Sequence, residues 1–585
     1  MRILSLVGLL FIFSQTLMGQ KINYRVSILE PQTRYAEVVI EISGQTQSET
    51  DFYMPVWTPG SYMVREFSRN VEQVLAYNNE GEELKVVKIA KNAWKVSNGK
   101  QQNFQLNYKV YANEVSVRTT FINNETAFLS GTSLLMYAEG FQNLKGTIDI
   151  RMPEYWKNIA TGLETVYEGK YQFNDYDELV DCPLQLGNFD TLEFKVMNIP
   201  HFVALVGESN VNKNKLKKDL QKICEVTAAV INKADFSKYW FFVHHVDQGG
   251  GGLEHTNSTA VVMTRNDYNN KEKYEGFLRL CAHEYFHTWN VKRIRPIELG
   301  PFDYNNEVYT QQLWVAEGIT TYYDKLLMYR AGFWNEEQLL GHLASAIGYS
   351  ENTPGTKVQS LALSSFDTWI KFYRPDENSV NSAISYYTKG AMAAALLDIS
   401  ITKHTDGKKN LDDVLKFLYD EYYVKKQRGF TEVEFKNACK KIAGTSLNSF
   451  FETLIYSTQS PDYNEYYNTV GYEVIMENSS EVYVGINTQI VNGKMEVSNV
   501  LRYSPAFNAG LSKGDIIVSV NGIVPDGTLT NILKKSGTYE FVIMRGSRTF
   551  STNLTSTDNP NVKVKIKKLD TPSKTQKNLQ GAWPR

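Results

Sequence analysis

The chain has 585 residues, enough for several domains with separate cores. An apolar fraction of 42% and a charged fraction of 22% belong to ordinary globular protein, not to a disordered or collagenous chain. A formal net charge of −2, without a basic stripe, gives no reason to expect nucleic acid as a partner.

Residues 1–19 read as an export signal. Arg2 gives a short positive start, residues 3–13 an apolar run too short to span a bilayer, and residues 14–19 a cleavage region ending in Gly19. The mature chain is therefore expected to be secreted or periplasmic, with no transmembrane anchor left after cleavage. Cys182, Cys224, Cys281 and Cys439 are far apart and form no C-x-x-C pair, which excludes a cysteine zinc site and a redox motif. One disulfide remains open to an exported chain, without a choice of partners.

From about residue 20 to 203, apolar and polar residues alternate with period two, as in residues 36–42 and 104–111. Residues 55–70 are dense in Trp, Pro, Gly and Arg and read as a structural corner around a buried Trp57. Helical periodicity follows over about 212–233, its basic start reading as a solvated face. Two β runs, 239–245 and 258–264, then flank Gly249, Gly250, Gly251 and Gly252 and the pair Glu254 and His255. Glycines let a backbone come close to a ligand, and a carboxylate on a strand edge suits capture of a cationic N-terminus. A plain hairpin turn is the alternative.

The stretch 281–290, C-A-H-E-Y-F-H-T-W-N, carries H-E-x-x-H on a helix-like apolar pattern. Positions i and i+4 stack one turn apart, so His283 and His287 can aim two imidazoles at one Zn²⁺. Glu284 then stands beside the metal's open position as a general base. A second helix is expected over 311–330. Glu317 lies there in a largely apolar segment, where a buried carboxylate needs a cation, and is favoured over Glu307 in a polar loop as third ligand. Tyr386 and Tyr387, just before the apolar helix 391–399, are either core aromatics or hydroxyl donors to an oxyanion.

The runs H-E-Y-F-H-T-W-N-V-K-R-I-R-P and L-W-V-A-E-G resemble those of the glycyl aminopeptidase family, exported gluzincin peptidases with a C-terminal PDZ domain. The resemblance implies one Zn²⁺ per chain on His283, His287 and Glu317, with Glu284 as base. It implies that Gly251, Gly252, Leu253, Glu254 and His255 replace the G-x-M-E-N motif, with Glu254 as amine anchor. The Y-x-K-G motif falls on Tyr387 to Gly390, making Tyr387 the oxyanion donor. Leu253, His255 and the gap of 30 from His287 to Glu317 (317 − 287) depart from alanyl-type relatives and fit the glycyl branch. The carboxylate that should orient a zinc-bound imidazole is not placed, Asp324 being one candidate.

Residues 400–458 read as amphipathic helices. Short strands return from about 470, and residues 482–523 resemble a PDZ domain of the bacterial protease type. Val484, Gly485 and Ile486 would form its loop for a peptide's C-terminal carboxylate, with Tyr483 replacing the usual first glycine. Residues 559–585, rich in Lys, Asn and Gln, read as a flexible tail. The expected fold is multidomain α+β. It comprises an N-terminal antiparallel β-sandwich or saddle domain (20–203), a thermolysin-like, mainly helical zinc peptidase domain with a small sheet (204–462), and a PDZ domain (463–558). The expected function is a zinc aminopeptidase acting on peptides with a free N-terminus and small first residues. A zinc endopeptidase and a non-catalytic PDZ-based peptide-binding protein remain the alternatives.

Overall fold

A computed structural model describes residues 19–584, so the expected export signal, Gly19 aside, lies outside the described residues. The chain divides into two compact units. The first gathers the described residues up to Val56 and Arg65–Asn188, and the second holds Trp57–Val64 and everything from Phe189 onward.

The first unit is built on an eleven-stranded sheet and a four-stranded sheet. Alternation sets its register: Val38 and Ile40 of the strand Tyr35–Ser43 are buried and pair with Tyr108 and Leu106 of Phe104–Tyr111. The pairing is antiparallel except where Lys21–Ser27 runs parallel to Gly146–Arg151. The hairpin of Asp190–Val196 and Ile199–Val206, inside or at the edge of the region assigned above to the N-terminal domain, belongs to the second unit. Period-two alternation fixes a strand but not which sheet it joins.

In the second unit that hairpin opens a five-stranded sheet. Ile199–Val206, Tyr239–Val246 and Ser258–Thr264 run parallel, and Gly251–Glu254 closes one edge antiparallel to Ser258–Thr264. The first parallel crossover is the helix Lys213–Ile231, capped by the Asn212 side chain and ended by Asn232 in the left-handed region at φ 58°. The helices Lys271–Phe286, Ile319–Arg330, Glu336–Asn352 and Thr388–His404 follow. Among the described residues no helix is long and apolar enough to cross a membrane. All four cysteines are buried free thiols.

The C-terminal region contains a separate five-stranded antiparallel sheet, from Ile486–Val491 to Arg548–Thr555, and a two-stranded ribbon of Tyr472–Asn478 with Val562–Lys568. Residues 559–584 are therefore no flexible tail. The sequence V-K-V-K-I-K-K alternates apolar residues with lysines, and that period-two pattern outweighs its polar composition. The Asn352 side-chain amide clamps this strand, donating to the Val562 carbonyl (3.0 Å) and accepting from its N–H (2.7 Å). The helix Lys574–Gln580 then delivers Trp583 into the core, where its indole N–H donates to the Tyr322 hydroxyl at 3.1 Å. Its ring packs edge-on to Tyr467 and Tyr472, with centroids 5.7 and 5.5 Å away. Trp583→Ala removes a fully buried ring and is expected to destabilise the protein by roughly 3–5 kcal/mol. An unchanged urea midpoint would contradict this anchoring.

Candidate metal centre

The helix Lys271–Phe286 starts at Asn270, whose side chain accepts from the Lys273 N–H (3.1 Å), and His287 continues its helical geometry at the C-terminal end. His283 and His287 thus share a face, with ring centroids 4.6 Å apart and planes 86° apart. Glu317 arrives from a π-helical turn, Trp314–Gly318, that runs directly into Ile319–Arg330. Its Oε2 stands 3.4 Å from His283 Nε2 and 3.2 Å from His287 Nε2.

The other ring nitrogens are already used. His283 Nδ1 faces Asp324 Oδ2 at 3.2 Å, and His287 Nδ1 donates to the Asn290 carbonyl at 2.7 Å. With those protons on Nδ1, two Nε2 lone pairs face a carboxylate, and Glu317 Oε2 is buried without a hydrogen-bond donor. One ligand atom from each of the three residues lies within 4.8 Å of the others. Such a set of two imidazoles and one carboxylate fits a zinc ion with a position left open. Without a metal, a proton takes that role. Burial disfavours charge on His283, but hydrogen bonds to Asp324 and Glu317 outweigh it and raise its pKa to about 10. Burial would likewise raise Glu317, but His287 and His283 hold it down at about 2.

Several residues outside the ligand set fix this geometry. Asp324 is held by Arg279 at 3.0 Å and Lys325 at 3.2 Å, which answers which carboxylate orients His283. The Asn290 side chain donates to the Val315 carbonyl (2.8 Å) and the Ala316 carbonyl (3.1 Å), tying the histidine helix to the Glu317 turn. Gly318 and Gly390 face each other so closely that a Cβ on Gly318 would lie 2.6 Å from the Gly390 Cα. Glu307 is in neither group of residues able to hold a metal.

The second such group, Glu254, Glu284 and His287, overlaps the first. Glu284 Oε2 and Glu254 Oε1 are both buried without a hydrogen-bond partner. Burial pushes the Glu284 carboxyl up to about 7, with His283 and His287 drawing it down and Glu254 adding to the rise. Gly252 on the edge strand lies against Glu284: a Cβ there would sit 2.3 Å from Glu284 Oε1. Gly251, at φ +116°, starts that strand and Glu254 ends it. His255, the next residue, is buried, and its N–H donates to the Ser258 carbonyl at 2.9 Å; it is in neither metal-binding group.

Tyr387 immediately precedes the helix Thr388–His404. Its ring lies parallel to that of His283, with centroids 6.3 Å apart, and stacks on Phe372 at 5.4 Å. Burial and the Glu317 carboxylate push its phenol pKa well above the ordinary value, so the hydroxyl remains a donor. Tyr386 is a core residue whose hydroxyl accepts from Thr368 at 3.0 Å. Farther along the chain, Val484, Gly485 and Ile486 belong to the C-terminal region and to neither metal-binding group. Val484 is buried, Gly485 has φ +72°, and Ile486 begins an edge strand.

Residues 23–188 match the family description Peptidase M61 N-terminal domain, and residues 276–393 match M61 glycyl aminopeptidase. No curated protein matches the sequence. The chain is similar to the crystal structure of an aminopeptidase N family protein from Idiomarina loihiensis, with 30% identity and a TM-score of 0.88 over 95% of this chain and 100% of that one. An M1 zinc metallopeptidase from Deinococcus radiodurans is 12% identical, with a TM-score of 0.48 over 76% of this chain and 94% of that one. Yeast LTA4 hydrolase is also 12% identical, with a TM-score of 0.45 over 76% of this chain and 68% of that one. The Idiomarina likeness runs nearly end to end, and the second family description spans the two histidines, Glu317 and Tyr387; the chain belongs to the M61 glycyl aminopeptidase family of zinc metallopeptidases.

Proposed function

We propose that the protein is an exported aminopeptidase that binds one zinc ion per chain and removes small residues, such as Gly or Ala, from the free N-termini of peptides. The observation that carries this reading is the pair of buried carboxylates, Glu254 and Glu284, each with an oxygen lacking a hydrogen-bond partner beside His287. A single base would need only one of them. The second matches a substrate ammonium, which an endopeptidase does not have to hold.

When bound by His283, His287 and Glu317, zinc supplies Lewis acidity to the scissile carbonyl and makes water a stronger acid. Glu284 takes the proton of the attacking water and passes it to the leaving amine. The Tyr387 hydroxyl donates to the carbonyl oxygen as negative charge develops there. Glu254 holds the substrate's ammonium, so that the first peptide bond is the one presented. Gly251, Gly252 and His255 line the edge strand and turn that bring Glu254 there. The preference for small residues rests on family membership.

Two further parts of the reading concern the rest of the chain. Residues 463–558 are read as a PDZ domain, supported by a core of Val484, Val497, Ile517, Phe541 and Ile543 around the five-stranded sheet. Its edge strand Ile486–Val491 follows Val484 and Gly485, the order needed to add a peptide C-terminus as a further strand. Export rests on the sequence of residues 1–19.

Glu284→Gln is expected to lower kcat/KM for a glycyl chromogenic amide by about 10²–10⁴-fold, while metal analysis still finds one zinc per chain. Glu254→Gln should abolish the advantage of the glycyl amide over its N-acetylglycyl counterpart; equal cleavage of both by the unmodified protein would make it an endopeptidase instead. Asp324→Asn should weaken zinc binding by about 10–100-fold in chelator competition, and unchanged zinc affinity would remove Asp324 from the centre.

A further inference from the structure

Between Val56 and Arg65 the chain leaves the first unit, and the eight residues Trp57–Val64 belong to the second. Their sequence, W-T-P-G-S-Y-M-V, sets a tight turn. The Ser61 N–H donates to the Thr58 carbonyl at 3.0 Å, with Pro59 and Gly60 at its two central positions and Gly60 at φ +87°. Proline first and a positive-φ glycine second is the pattern of a type II turn.

This turn is anchored by buried aromatic rings. The Trp57 indole N–H donates to the Asp303 carbonyl at 2.7 Å, and its ring packs against Trp369 at 5.2 Å and Tyr62 at 6.2 Å. Trp369 in turn donates to the Val308 carbonyl at 3.0 Å. The Tyr373 hydroxyl, adjacent in sequence to the Phe372 that stacks on Tyr387, faces the Gly60 carbonyl at 3.4 Å.

What the turn presents is the bare Cα of Gly60, against the carboxylate of Glu254. A Cβ at Gly60 would lie 2.5 Å from Oε1, 2.7 Å from Oε2 and 2.8 Å from Cδ. Glu254 is 3% exposed, and its Oε1 has no hydrogen-bond partner. With no hydrogen bond to fix Oε1, the carboxylate is held against the Gly60 Cα by packing.

We propose that the Thr58–Ser61 turn is a wall of the amine subsite and that Gly60 is a positioning residue, holding the Glu254 carboxylate where it meets a substrate ammonium. The inference rests on Glu254 being the amine anchor. Gly60 touches no reacting atom; it acts by leaving room for the observed position of the Glu254 carboxylate. The absent side chain is what the site requires, both for the positive φ and for the space the carboxylate fills.

The test compares glycine hydroxamate with acetohydroxamate, which share a metal-binding group and differ in the amine. Their inhibition constants are measured on the zinc-loaded full chain, together with zinc content. The acetohydroxamate constant divided by the glycine hydroxamate constant is the ratio that reports the amine subsite. Gly60→Ala is expected to lower that ratio by about tenfold or more, the scale of a lost charge-assisted hydrogen bond, with zinc content and acetohydroxamate binding unchanged. Adding Glu254→Asp to Gly60→Ala, which withdraws the carboxylate by one methylene, should restore part of the ratio. An unchanged ratio in Gly60→Ala overturns the inference, as does a loss accompanied by loss of zinc or of acetohydroxamate binding. Glu254→Gln is run alongside: if it leaves the ratio intact, the anchor itself fails and this inference with it. Should Gly60→Ala not fold, Trp57→Phe replaces it, removing the tether to Asp303 while keeping an aromatic ring. A lowered ratio then supports the wall, and an unchanged one overturns it.

Discussion

Two imidazole lone pairs and a buried carboxylate cannot be packed within a few ångströms of one another unless a cation lies between them. That electrostatic constraint organises the peptidase unit. The helix Lys271–Phe286 and the π-helical turn Trp314–Gly318 approach each other to bring His283, His287 and Glu317 together. Each partner of the ligands follows from the same demand. Asp324 and the Asn290 carbonyl take the Nδ1 protons, which leaves both Nε2 atoms facing Glu317, and Arg279 and Lys325 keep Asp324 ionised despite its burial.

Around that centre, shape is set as much by missing side chains as by those present. Gly252 lets the edge strand lie on Glu284, Gly60 lets a turn lie on Glu254, and Gly318 and Gly390 let the Glu317 turn approach the start of the Tyr387 helix. A methyl group would collide with the Glu284 side chain at Gly252, with the Glu254 side chain at Gly60, and with backbone at Gly318 or Gly390. Positioning by close backbone approach differs from positioning by hydrogen bonds: it leaves Glu254 Oε1 and Glu284 Oε2 without a hydrogen-bond partner.

The clustering of His283 and His287 is the most legible part of the sequence, because H-E-x-x-H is a local pattern whose geometry follows from helical pitch alone. Glu317 could be reached by asking what a carboxylate does in an apolar stretch. Asn290 and Gly60 could not be assigned in that way. Asn290 acts through carbonyls 25 and 26 residues away, and Gly60 acts on a carboxylate far along the chain, contacts that leave no periodicity to read. The only sequence trace of Gly60 is the T-P-G-S turn, which predicts a bend without saying what lies against it. The lysine-rich stretch near the C-terminus reads as a tail by composition, yet its alternation puts Val562, Val564 and Ile566 on one face of a strand.

That strand changes what kind of object the small C-terminal sheet is. Tyr472–Asn478 and Val562–Lys568 pair with each other on either side of it, and Trp583 reaches back to Tyr322, 261 residues earlier. The sheet from Ile486–Val491 to Arg548–Thr555 is therefore an insertion carried between two strands of one ribbon, not an appendage on a linker. An appendage can be lost by a stop codon with its host intact; here a stop before the sheet also removes the ring that packs behind the helix following Glu317. The peptidase core is completed only after the inserted sheet has been synthesised, so the two are obliged to exist together.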